Sequence, residues 1–270
     1  MRRRVLAAAA AFALASAVVS AQRSAAPAAT ASLHSPFDQI LDVDVRDGLV
    51  YYRTLKSQRA KLDHYIASLN VPASEYQAWS REQQMAFWVN AYNAFVLETV
   101  INHYPLRDTI RQIPGAFDKT PWHAAGRAVT LDQIENTILP PFREPRLYLA
   151  LGRGAISSGR LRSEAYTAAK LDAQLAAVRA EFVSHQQMLH IDEPGNQIVV
   201  TPIVSWHAQN FIDAYDKTDG PFASRSPIER AVVAFIAPNL LPIEQDFVHK
   251  NTFRMTFGDF DWTLNDLTGR

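Results

Sequence analysis

The sequence contains no cysteine, so it can form neither a disulfide framework nor a thiol nucleophile nor a thiolate metal site. There is also no excess of positive charge. Lys and Arg together number 27 against 27 Asp and Glu, which gives no electrostatic footprint for nucleic acid. No histidine pair has zinc spacing, no internal repeat is visible, and no cofactor is expected. The longest apolar run, Val5 to Val19, falls short of the roughly 20 residues that cross a bilayer.

That run instead follows Arg2, Arg3 and Arg4 and precedes the small residues Val19, Ser20 and Ala21, the arrangement of a secretory signal. Residues 1–21 are therefore expected to be a signal peptide, with an exported protein of the periplasm or extracellular space and no stable membrane span after cleavage. Cleavage removes three arginines and no acid, leaving 24 basic and 27 acidic residues, a net charge of −3 with His neutral. The stretch "QRSAAPAATASLHSP", 22–36, is low in complexity and reads as a flexible lead. The remainder, 37–270, reads as one domain, 48% of the whole chain being apolar and able to supply its core.

Helix signals dominate. Ser80 with Gln83 makes a capping box before "QMAFWVNAYNAFVLETVINHY", which Pro105 ends. Thr130 with Gln133 repeats it before "LDQIENTIL", which stops at Pro140. Leu171, Leu175, Val178 and Phe182 mark an amphipathic helix over 168–183, and Ser226, Pro227 and Glu229 open another. The strand candidates are short: "GLVYYRTL", "RLYLALG", "MLHI", "QIVVT" and "FRMTFGDFDW". Helices that do not alternate regularly with strands predict an α+β fold, several helices around a small, mainly antiparallel sheet.

The stretch "LGRGAISSGRLR", 151–162, carries the chemistry to be decided. Its glycine spacing approaches a phosphate-binding loop, but Arg160 stands where the lysine belongs and Leu161 where the hydroxyl belongs. "AISSG" differs from the nucleophile elbow G-x-S-x-G only at its first glycine, which keeps Ser157 and Ser158 open as nucleophiles. A serine needs a base, and His123 and His207, each beside a tryptophan, are the candidates, with Glu135 as the orienting acid. The bland alternative is a tight Ser/Gly turn around structural histidines. "DVDVRDG", 42–48, has the flavour of a calcium loop, but its third acid and glycine are displaced by one place and Arg53 replaces the closing glutamate.

With "FWVNAYNAFVL", the 151–162 loop, "WHAQNF" and "DWTLND" together, the chain resembles the DUF547 family, a domain of unknown function. Asn90 and Asn93 share one face of an apolar helix, so they need buried partners, with direct ligand contact the sharper reading. The family's loop usually reads Cys-x-Ser-x-x-Cys-Pro-x-Leu-Arg. Here Arg153 takes the first cysteine position and Ser158 the second, and Asn136 stands where the family often has histidine. The resemblance invites comparison with papain- and transglutaminase-type thiol hydrolases. It implies a site whose chemistry has degenerated, leaving a binding or scaffolding role in the cell envelope. The alternative is an active serine-dependent amide or ester hydrolase. Arg153, Arg160 and Arg162 suit an envelope peptide or small anionic ligand, or else ordinary surface ion pairs.

Overall fold

The computed structural model describes residues 30 and 32–267; the expected signal segment and most of the expected lead lie outside them. A first helix, α1, occupies 32–44. It takes in 32–36, ahead of the start at Phe37 read from composition. The reason is burial: His34 bonds the Tyr65 hydroxyl through Nδ1 at 2.8 Å, and Phe37 stacks on Tyr65 at 4.8 Å between centroids. These contacts offset the ordering entropy that an Ala/Ser/Pro segment alone does not.

A hairpin follows, β1 (Val45–Arg46) and β2 (Leu49–Val50), turned through Asp47 and Gly48 at φ 53° and 81°. The calcium-like spacing of 42–48 thus spans the end of α1, the strand β1 and the hairpin turn at Asp47 and Gly48. "GLVYYRTL" pairs as a strand only at Leu49–Val50; from Tyr52 it is helical as α2 (Tyr52–Ser57), because Tyr52 and Leu55 bury a face one turn apart. Helices α3 (Ala60–Ser68) and α4 (Ala73–Gln77) lead to α5 (Arg81–His103), the 23-residue axis of the core. The Ser80–Gln83 capping box is formed, and the helix ends at His103, two residues before Pro105. Residues of α5 are buried nearly all round, which requires packing on every side. No helix among the described residues is long and apolar enough to cross a membrane.

Next come the hairpin β3 (Trp122–Ala124) and β4 (Arg127–Val129), then α6 (Leu131–Gln133), which widens into a π-helical turn over Ile134–Ile138. The short α7 (Arg146–Leu149) precedes the 151–162 loop, and α8 (Leu171–Ser184) follows it. "RLYLALG" is therefore a helical turn and not a strand. Pro145 pre-sets the first φ, and Leu147, Tyr148 and Leu149 are all buried, so no alternation distinguishes the two states. Strands β5 (Leu189–Asp192) and β6 (Gln197–Val200) pair antiparallel. Helices α9 (Pro202–Trp206), α10 (Ala208–Tyr215), α11 (Pro227–Ile236) and α12 (Pro242–His249) come next, and then β7 (Arg254–Phe257) pairs parallel to β6. Only the first half of "FRMTFGDFDW" is strand.

The class is α+β, with small, mostly antiparallel sheets among many helices. Residues 258–267 return across the molecule. Ile156 N–H donates to Thr263 O at 2.9 Å, and Val50 N–H to Asn265 O at 2.9 Å. This tail pins the 151–162 loop beside the first hairpin.

Candidate functional site

The loop is held first by α5. The Asn93 side chain accepts from Gly152 N–H at 2.8 Å and donates to Ala150 O at 3.2 Å. Asn90 brackets Tyr166 in the same way, accepting from its N–H at 2.9 Å and donating to its carbonyl at 2.8 Å. Each amide thus satisfies backbone that has left regular structure, the requirement imposed by burial. Gly159 lets the loop close on the end of α7, since a Cβ there would lie 1.8 Å from Leu149 O. Gly154, at φ 70°, occupies the left-handed region that glycine enters without strain.

Neither serine is poised for attack. Ser158 Oγ accepts from the Arg153 N–H at 2.9 Å, closing the loop on itself, and Ser157 Oγ accepts from Asp261 N–H at 3.0 Å. Both residues are buried. Among the described residues no histidine nitrogen is hydrogen-bonded to either hydroxyl. The turn also follows a helix, whereas a nucleophile elbow sits between a strand and a helix. His123 is exposed on β3.

The structure brings Arg153, Glu135 and His207 together. The Arg153 side chain, 2% exposed, donates from Nη2 to Glu135 Oε1 at 2.5 Å. Nη1 caps the end of α7 through Tyr148 O and Leu151 O, both at 3.2 Å. His207 Nε2 donates to the same Glu135 oxygen at 2.8 Å, while the Tyr92 hydroxyl donates to Oε2 at 3.0 Å. The His207 ring lies flat on Tyr148, centroids 3.7 Å apart and planes 6° from parallel. Among the described residues Arg153 Nε has no hydrogen-bond partner, and the guanidinium lies 5.9 Å from the Trp206 ring centroid. Local chemistry positions each part: the π-helical turn carries Glu135 inward, and His207 is the junction residue between α9 and α10.

Burial alone would raise the Glu135 carboxyl. The Arg153 charge, with hydrogen bonds from His207 and Arg153, outweighs it and holds the carboxyl at about 2. Burial likewise opposes the Arg153 charge, and Glu135 with Tyr92 more than restores it. Burial pushes the Tyr92 hydroxyl well up, reinforced by Glu135. The cluster is thus a fixed ion pair with hydrogen bonds on both carboxylate oxygens, and no member is a free nucleophile.

The other arginines are also paired. Arg160 bonds Asp47, and Arg162 bridges Glu164 and Glu181, each at 3.0 Å. Asn136 is exposed on the π-helical turn. A cavity of about 460 Å³ lies along the loop, with Ser158, Arg160, His185 and Phe182 in its lining; Glu135, Arg153 and His207 are not among its walls. Among the described residues no group of three or more His, Asp or Glu could hold a metal ion. Tyr92 and Tyr148 are participants that the sequence reading did not single out. The available signal was a tyrosine inside an apolar helix, whose hydroxyl needs a partner.

Residues 76–183 match the model of a family described as "Protein of unknown function, DUF547". The match takes in Asn90, Asn93, Glu135 and the 151–162 loop. It does not reach His207, Trp206 or the "DWTLND" segment, whose likeness to the family rests on sequence resemblance alone. No curated protein and no solved structure matches the chain.

Proposed function

We propose that this DUF547-domain chain is an exported, non-catalytic member with a degenerate hydrolase-type site, acting as a binding or scaffolding protein of the cell envelope. One observation carries the reading. At the position where the resemblance implies a thiol, the buried Arg153 guanidinium is neutralised by Glu135, which also engages His207. A guanidinium, with a pKa above 12, neither attacks a carbonyl nor accepts a proton. The carboxylate and imidazole that would serve a nucleophile are spent on each other and on Arg153. An envelope peptide or a small anionic ligand remains the proposed partner, in place of a substrate that turns over.

The second reading is a serine hydrolase working through Ser158. What favours it is that Ser158 and His185 both line the 460 Å³ cavity. Assays on p-nitrophenyl acetate and an amide panel decide between them. The non-catalytic reading expects the wild type, Ser157→Ala and Ser158→Ala to match one another at the uncatalysed rate. Turnover that disappears in Ser158→Ala with an unchanged melting temperature would establish the hydrolase.

A further inference from the structure

Between the first hairpin, the 151–162 loop and the C-terminal end of α8 lies the cavity of about 460 Å³, a volume that suits a small ligand. Its apolar walls include Leu149, Val178, Phe182 and Met188, all buried. Residues 184–187 line another side and are exposed, so the cavity opens to solvent there.

Charge and hydrogen bonding select the occupant. Among the described residues Arg160, 37% exposed, is paired with Asp47 alone, and Asp47 is 89% exposed. This is a weak surface pair that a competing carboxylate can displace. Glu181 gives one oxygen to Arg162 at 3.0 Å, and its other oxygen has no partner among the described residues. Ser158 Oγ accepts from the Arg153 N–H, which leaves its own O–H without an acceptor among them, although the residue is only 5% exposed. The side chains of His185, Gln186 and Gln187 are likewise unbonded among the described residues. A bare anion such as phosphate would meet the carboxylates of Asp47 and Glu181 and the negative end of α8. A cation would meet Arg160. A hydrocarbon carboxylate would suit Arg160 and the apolar walls, yet leave Glu181 and the glutamine amides facing hydrocarbon. A ligand that joins a carboxylate, backbone amides and an apolar side chain answers all of these groups.

We infer that this cavity takes the C-terminal end of a peptide. The terminal carboxylate sits on Arg160, the last backbone N–H groups donate to Glu181, and the last side chain lies against Leu149, Phe182 and Met188. Guanidinium forks match a carboxylate geometrically, and capture of a chain terminus is a recurring mode of peptide recognition. Ser158 O–H and the glutamine amides serve the remaining carbonyls. The open side at 184–187 lets the rest of the peptide run out to solvent. The inference rests on the binding role proposed above and narrows its partner to a peptide with a free carboxyl terminus.

Fluorescence polarisation of N-dansylated tetrapeptides, varied at the last two residues and made both as free acids and as C-terminal amides, tests it. Free acids ending in Leu, Met or Phe should bind, and amidation should weaken them about tenfold or more. Arg160→Gln should cost the free acids as much and leave the amides unchanged, the signature of one shared contact. Asp47→Asn should tighten the free acids severalfold by releasing Arg160, a gain that a purely structural role for the pair would not give. Both substitutions fall on an exposed pair, so the melting temperature should stay at the wild-type value. Binding by no free acid, equal binding of acids and amides, or competition by octanoate or inorganic phosphate as strong as by the peptides would overturn the assignment. Cleavage of a bound peptide, followed by mass spectrometry, would instead sink the non-catalytic reading and leave the peptide site standing.

Discussion

Arg153 and Glu135, 18 residues apart in the chain, form an interior ion pair with side chains only 2% and 10% exposed. Removing two such charges from water costs several kcal/mol each, and the structure recovers this through hydrogen bonds to His207, Tyr92 and two carbonyls. The pair is a structural commitment: either charge alone in that place would be left uncompensated.

Breaking it from one side is therefore expected to be severe. Glu135→Gln should lower the unfolding free energy by about 3–5 kcal/mol, whereas the double variant Glu135→Leu with Arg153→Met should lie close to the wild type. Urea denaturation of the wild type, both single variants and the double variant measures the coupling. Independent, additive effects would show that the two charges do not depend on each other.

Acid should unfold the protein in two distinguishable steps. His34 is buried and held neutral down to about 4, below its ordinary 6.5. The unfolded chain binds that proton first, so stability is complete above pH 6.5 and falls as pH drops toward 4. Glu135, held at about 2 against an ordinary 4.5, stabilises the fold above pH 4.5 and loses that contribution as pH falls toward 2. Each shift corresponds to roughly 3 kcal/mol between its limits. Urea midpoints from pH 7 to 2.5 should show His34→Gln flattening the upper window only and Glu135→Gln the lower only. Identical pH profiles in wild type and variants would contradict both assignments.

The paired amides of α5 should act locally. Asn93→Ala strands Gly152 N–H and Ala150 O, and Asn90→Ala strands the backbone N–H and carbonyl of Tyr166, so each should cost about 2 kcal/mol or more. Hydrogen exchange at the Gly152 amide should accelerate in Asn93→Ala while the amides of α8 keep their protection. Unchanged exchange at Gly152 would mean that the Asn93 bond does not hold the loop.

Where local chemistry decides, the chain was readable. The Ser80–Gln83 box, Pro105 and the apolar run between them delimit α5 to within a residue or two. Asn90 and Asn93 announced a need for partners by standing in that run. "RLYLALG" was not readable, because a short apolar segment buried on every side has the same pattern in either state, and tertiary packing made it α7. Nor could Arg153 be placed. Beside Arg160 and Arg162 it looks like a third rim charge, and only the fold shows that its partner is Glu135, itself bonded to a histidine 72 residues further on.

The most direct measurement is reaction of the purified protein with a fluorophosphonate probe, with any adduct located by mass spectrometry. With both serine oxygens taken up as acceptors of backbone amides and no histidine bonded to either, Ser157 and Ser158 are expected to remain unmodified. Stoichiometric modification of Ser158 that depends on the native fold would contradict the account.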